Sequence, residues 1–157
     1  MSDQIRTELL GSNEIFVHNF GDKNQETMIL INGFGRSTAH WCGFQDSLAK
    51  YFSVYGADNP GMGKSTRPMK FESMTSVADA IGQKVIGNGS MKFHVVGLSM
   101  GGIIARQLTK LYPENIRTMT LINTPSRIWW TKTFNFIAAI KMAWADFINK
   151  EGSRDYV

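Results

Sequence analysis

Residues 92–102, KFHVVGLSMGG, place a serine between two glycines directly after an apolar run. The run KFHVV is rich in β-branched and aromatic residues and predicts a buried strand. From Met100 to Tyr112 apolar side chains recur at helical spacing, and Pro113 ends that pattern. Ser99 therefore lies in a tight turn between a predicted strand and a predicted helix.

The pattern of this turn is Gly-x-Ser-x-Gly, with glycine at positions 97 and 101. So tight a turn strains the serine backbone and exposes its hydroxyl, and glycine on either side avoids steric collisions. The following helix directs its N-terminal N–H groups toward a reacting carbonyl, and the N–H of Met100 can hold an oxyanion. We predict that Ser99 is a nucleophile of acyl transfer and that Met100 is one oxyanion donor.

A second oxyanion donor is predicted in the loop that follows the apolar run TMILI. This loop, Asn32 to Gly35, leaves the carboxyl end of a predicted strand. Ligands of open α/β sheets bind at that end, so we assign the second donor to the backbone N–H of Phe34. The other interpretation of the loop is a glycine-rich connection without a chemical role.

Strands and helices alternate along the chain. Parallel neighbours need crossover connections, and helices provide them, so the fold class is α/β: a mostly parallel sheet entered through an antiparallel hairpin. The predicted elements are a hairpin of RTELLG and EIFVHNF, the strands TMILING, FSVYGAD, MKFHVVG and IRTMTLIN, and helices at residues 38–51, 76–86, 100–112 and 131–150.

The composition is that of a globular protein of 157 residues, with 43% hydrophobic and 19% charged residues. The net charge of +4 is spread along the chain without a basic run, which argues against nucleic-acid binding. The start carries no leader pattern and no stretch approaches about twenty apolar residues, so we expect a soluble, cytoplasmic protein without stable membrane insertion. The single cysteine, Cys42, is expected to be a small buried hydrophobe.

The segment 59–66, NPGMGKST, ends like a nucleotide-binding P-loop. A P-loop needs a glycine five residues before the second one, and Asp58 stands there instead. Arg67-Pro68 follows at once and disfavours the helix that a P-loop opens. We therefore interpret the segment as a turn near the site and Lys64 as a solvated surface charge.

The chain resembles the α/β-hydrolase family, especially its esterase and haloperoxidase-like branch, from about Glu14 to Pro125. LINGFGRSTAHW resembles the family's oxyanion loop, YGADNPGMGKS its turn after the fourth strand, and FHVVGLSMGGIIARQLTKLYPENIRTMTLINTP its elbow, helix and sixth strand. Asn32 stands where the family usually has histidine. The resemblance implies that Ser99 is the nucleophile, that Phe34 and Met100 form the oxyanion hole, that a small acyl ester is the substrate, and that no metal or organic cofactor is needed.

The family supplies a triad acid and then a histidine after the serine, yet no histidine follows Ser99 here. His18, His40 and His94 precede the serine, and we expect structural or surface roles for them. The simplest explanation is the N-terminal part of a hydrolase. Residues 1–126 would be an incomplete core without the last two strands, and residues 127–157 the start of a helical cap.

As printed, the chain is expected to be weakly active or inactive, because the triad base is absent. The strand IRTMTLIN would form an unpaired sheet edge that permits self-association. Two alternatives stay open. The protein could be a non-catalytic relative that keeps the pocket for binding or partner contact, and the amphipathic helix at residues 131–150 could lie on a membrane surface.

Overall fold

A computed structural model describes residues 15–21, 26–66, 73–87 and 92–125. The chain divides into two compact units, residues 1–124 and 125–157, and the sheet with its helices belongs to the first. The strands are β1 (Val17–Phe20), β2 (Thr27–Ile31), β3 (Ser53–Ala57), β4 (Phe93–Leu98) and β5 (Ile116–Ile122). The helices are α1 (Phe44–Leu48), α2 (Met74–Ile86) and α3 (Met100–Leu111), with short 3-10 helices at Thr38–Trp41 and Pro113–Asn115.

The five strands form one sheet in the order β1-β3-β2-β4-β5. Strand β1 runs antiparallel to β3, and the other neighbours are parallel. This confirms the predicted α/β class with a mostly parallel sheet. The first arm of the predicted hairpin, RTELLG, lies outside the described residues, as does the predicted helix at residues 131–150.

Both faces of the central strands are covered, which explains their unbroken apolar sequence. Successive side chains of a strand point to opposite faces. On β2, Ile29 and Ile31 accordingly join the larger core cluster, to which α2 and α3 contribute, whereas Leu30 joins a smaller cluster with Trp41 and Leu48. The central strands are thus fixed from both sides, and their carboxyl ends make a firm base for a site.

The first predicted helix, at residues 38–51, is wrong as a continuous element. The 3-10 helix ends at Trp41, and α1 begins only at Phe44. Between them Cys42 and Gly43 both adopt left-handed backbone, with φ of 52° and 84°. The same turn places Cys42 in solvent, so the prediction of a buried cysteine is also wrong.

Strand β5 is an edge of the sheet within the described part of the chain, because it pairs with β4 and with no other described strand. Most of its side chains are exposed, including Met119 at 39% and Ile122 at 40%. The edge agrees with the predicted strand arrangement, and self-association through it stays a prediction.

Candidate active site

Three parallel strands end at the same level of the sheet. Ile31 at the end of β2 lies opposite Ala57 at the end of β3 and opposite Gly97 of β4. The residues that follow these strands, Asn32, Asp58 and Ser99, are therefore brought together at the carboxyl end of the sheet. Open α/β sheets bind their ligands at this end.

Ser99 occupies the tight turn between β4 and α3. Its backbone has φ 53° and ψ −115°, a conformation that residues with a side chain rarely adopt. Two hydrogen bonds hold it there: the Ser99 N–H donates to the carbonyl of Ile122 at 2.9 Å, and the Ser99 carbonyl accepts from the Gly102 N–H at 3.1 Å. The Ser99 side chain makes no capping bond to α3, and the residue is partly exposed.

Glycine is required at two positions beside the serine. A Cβ on Gly97 would lie 2.5 Å from the Gly102 Cα and 2.6 Å from the Gly101 carbonyl oxygen. A Cβ on Gly101 would collide with the backbone carbonyls of Ile31 and Asn32. The start of α3 therefore packs directly on the end of β2. This packing brings Met100, the first residue of α3, to the same carboxyl end of the sheet as Asn32. As the first residue of the helix, Met100 has an N–H without a partner inside the helix.

The Gly101→Ala substitution is expected to destabilise the protein by about 2–3 kcal/mol, because backbone carbonyls cannot move aside as a flexible side chain can. The Gly35→Ala variant is the control. A Cβ there meets nothing within 4 Å in the described part of the chain, and only the φ of 68° opposes it, at about 1 kcal/mol. Urea unfolding of both variants measures the difference. Equal losses would contradict the close approach of α3 to β2.

The loop after β2 lies against Ser99. A Cβ placed on Gly33 would be 3.5 Å from the Ser99 Cβ and 4.0 Å from the Ser99 Oγ. The buried Asn32 side chain holds this loop from within, since its Oδ1 accepts from the Gly33 N–H at 2.8 Å and its Nδ2 donates to the Ser37 carbonyl at 3.2 Å. Phe34 follows Gly33 and packs at the border of the larger core cluster.

Asp58, directly after β3, joins three segments around this loop. The side chain is 1% exposed. Its Oδ1 accepts from the Thr38 N–H at 2.7 Å, and its Oδ2 accepts from the Lys64 N–H at 2.9 Å and lies 2.9 Å from His18 Nε2. Burial by itself would raise the pKa of Asp58, but the bonds from His18 and the two amides outweigh it and lower the pKa below the ordinary 3.8.

Lys64 is exposed, as predicted, and its Nζ lies 5.0 Å from the centre of the Phe16 ring. The Ser65 hydroxyl donates to the Asp58 carbonyl at 2.8 Å and accepts from the Phe16 N–H at 2.8 Å. The segment NPGMGKST is thus part of the hydrogen-bond network around the loop beside Ser99. Neither Asp58 nor Asn59 was predicted from the sequence as a site residue, although a polar side chain directly after a buried strand is an available signal.

All three histidines of the chain have partners away from Ser99. His18 contacts Asp58, His40 Nδ1 accepts from the Ser37 N–H at 3.1 Å, and His94 contacts Thr118 at 2.8 Å and Glu26 at 3.3 Å. The expected structural roles agree with these contacts.

The described residues contain no cluster of three or more His, Cys, Asp or Glu side chains suited to a metal ion. No helix within the described ranges is both long and apolar enough to cross a membrane.

Comparison with known proteins gives a consistent result. The model of the alpha/beta hydrolase fold family matches residues 26–151. The chain is 32% identical over 98 residues to the dihydrolipoyllysine-residue acetyltransferase component of the acetoin cleaving system of Cupriavidus necator. The aligned region covers 62% of this chain and 26% of that protein. It is 26% identical over 112 residues to the pimeloyl-[acyl-carrier protein] methyl ester esterase of Salmonella heidelberg, which covers 70% of this chain and 41% of the esterase.

Among solved structures, a thermophilic esterase from Thermogutta terrifontis superposes with a TM-score of 0.74 at 22% identity, over 97% of this chain and 54% of the esterase. At that identity the likeness concerns the fold. The chain spans less than half the length of the two curated relatives above.

Proposed function

The chain belongs to the alpha/beta hydrolase fold family, and on that premise we propose that it carries the nucleophile of a serine hydrolase that cleaves carboxylic esters or thioesters through an acyl-Ser99 intermediate. The observation that carries the proposal is the strained, partly exposed Ser99 beside the Gly33 loop. A non-catalytic turn has no need of this strain.

The proposed reaction has two steps. The Ser99 Oγ attacks the carbonyl carbon, and the resulting oxyanion accepts hydrogen bonds from the N–H groups of Met100 and Phe34. The intermediate expels the alcohol or thiol and leaves Ser99 acylated. Water then attacks the acyl carbon, releases the carboxylic acid and restores the hydroxyl. Each step uses a base that takes a proton from the attacking oxygen and passes it to the leaving group.

We propose that the base comes from outside these 157 residues, because the family's histidine follows the serine and no histidine follows Ser99 here. We propose that residues 1–126 form the nucleophile-bearing part of the core and that residues 127–157 are the start of a helical cap region. The proposed chemistry needs no metal or organic cofactor. A cytoplasmic location is part of the same proposal.

A fluorophosphonate probe tests the proposed nucleophile, since a serine oxygen displaces its fluoride and keeps the phosphonyl group. We expect slow labelling of Ser99 by the 157-residue chain and a rate at least about tenfold higher with added imidazole, which supplies the missing base. Peptide mapping by mass spectrometry locates the label. The Ser99→Ala variant should take up none, whereas Ser47→Ala, which changes an exposed serine of α1, should label like the parent.

The second candidate function is binding without catalysis: the protein would be a non-catalytic member of the family that binds a ligand or partner at the carboxyl end of the sheet. The engagement of all three histidines elsewhere is the observation that favours it. A folded chain whose Ser99 stays unlabelled at saturating imidazole would overturn the hydrolase proposal and favour this one.

A further inference from the structure

Asn59 lies directly after Asp58 and is 2% exposed. Its Nδ2 lies within hydrogen-bond distance of three carbonyl oxygens of the loop after β2, so that one of its two N–H groups is shared: Gly33 at 2.6 Å, Asn32 at 3.1 Å and Arg36 at 3.2 Å. Three carbonyl oxygens around one atom identify that atom as the nitrogen of the amide. We propose that Asn59 is a positioning residue that sets the oxyanion loop, an inference that rests on the proposed hydrolase function.

The geometry of the peptide bond connects Asn59 with the oxyanion donor. The Gly33 carbonyl and the Phe34 N–H belong to one planar peptide unit, and in a trans unit they point in opposite directions. By holding the Gly33 oxygen, Asn59 directs the Phe34 N–H within that plane away from the Asn59 side chain. The neighbouring unit is fixed as well, because its oxygen accepts from Asn59 and its Gly33 N–H donates to Asn32 Oδ1.

The orientation of the Asn59 amide is set by this loop. The Asn59 Oδ1 is buried and has no hydrogen-bond partner among the described residues, whereas buried polar atoms usually have one. The donors of the side chain are directed to the loop, and its acceptor is left unsatisfied. A residue needed only to fill the space after β3 could be apolar, so the polar group is explained by the carbonyls that it holds.

The Asn59→Leu variant removes the donors and keeps the number and branching of the side-chain heavy atoms. Its matched control is Asn19→Leu, which changes another buried asparagine, located on β1, whose Oδ1 has no partner in the part of the chain that the structure describes. Amide hydrogen exchange by NMR is the first readout. We expect exchange of the Gly33 N–H to become at least about tenfold faster in Asn59→Leu, because the loop opens more often. The Thr38 N–H, held by Asp58, should change by less than about twofold.

The second readout is the rate of fluorophosphonate labelling with imidazole, analysed as a maximal rate and a half-saturating probe concentration. A displaced oxyanion donor should lower the maximal rate per folded molecule by about 10-fold to 100-fold, with the half-saturating concentration nearly unchanged. The Asn19→Leu control should leave both values as in the parent. A merely structural residue would change the folded fraction and not the rate per folded molecule.

The outcomes separate this inference from the proposed function. If the parent is never labelled, the hydrolase proposal fails and the exchange measurement still tests whether Asn59 holds the loop. Unchanged Gly33 exchange, or an unchanged maximal rate in a parent that is labelled, overturns the positioning role. Should Asn59→Leu fail to fold, Asn59→Ser, which keeps one shorter donor, is expected to change both readouts in the same direction.

Discussion

Replacing Asp58 by alanine is expected to lower the free energy of unfolding by about 3–5 kcal/mol. The carboxylate is 1% exposed and accepts bonds from two backbone amides and a histidine ring. Removing it leaves the Thr38 and Lys64 amides and His18 without their acceptor, and each lost acceptor has a desolvation cost. The start of the 3-10 helix at Thr38 and the turn at Lys64 would lose their common anchor. Urea unfolding measures the change.

The same carboxylate predicts how stability depends on pH. The folded pKa of Asp58 lies below its unfolded value, so the group contributes stability that is fully present above the unfolded pKa, near 3.8, and is lost as the pH falls through the lower folded pKa. The gap in unfolding free energy between the parent and Asp58→Ala should therefore be constant near neutral pH and shrink below about pH 4.

The control is Glu114→Ala, which removes an exposed carboxylate from the 3-10 helix that precedes β5. Its effect should stay within about 0.5 kcal/mol at every pH. Two results would show that the carboxylate does not anchor these segments. One is a loss of unfolding free energy below about 1 kcal/mol in Asp58→Ala, and the other is a difference in unfolding free energy from the parent that does not narrow in acid.

The fold was predictable from sequence because its signals are local. The apolar runs of β2, β3 and β4 each mark a strand, and the spacing in α3 marks a helix. The break at Cys42 and Gly43 was missed because the apolar period continues across it, although the glycine was a signal. A continuous apolar period predicts which side of a segment is apolar, but it does not show that the segment is one unbroken helix.

The site was predictable only in part, for a different physical reason. Ser99 can be recognised from its neighbours in sequence, because the tight turn around it has no room for a Cβ at Gly97 or Gly101. The supports of the loop come from another strand: Asn59 reaches carbonyls of residues that lie far from it along the chain. Such hydrogen bonds depend on the order of β3 and β2 in the sheet, and no short motif specifies that order.

Replacing Ser99 by glycine is expected to abolish labelling by the fluorophosphonate probe and at the same time to raise the free energy of unfolding by about 1 kcal/mol. The two effects have opposite signs because the side chain that supplies the nucleophile also strains the backbone. The φ of 53° with ψ of −115° costs about 1–3 kcal/mol in a residue with a Cβ and little in glycine. Part of that gain is offset because glycine has more freedom in the unfolded chain.

The Ser99→Ala variant separates the two effects. It also loses the hydroxyl and should also remain unlabelled, but it keeps the Cβ and hence the strain, so its unfolding free energy should stay within about 0.5 kcal/mol of the parent. The difference between the glycine and alanine variants in urea unfolding then measures the strain at this turn. Equal stabilities would mean that the turn holds Ser99 without strain. The strain argument for its role as a nucleophile would then fail, even if the probe labels it.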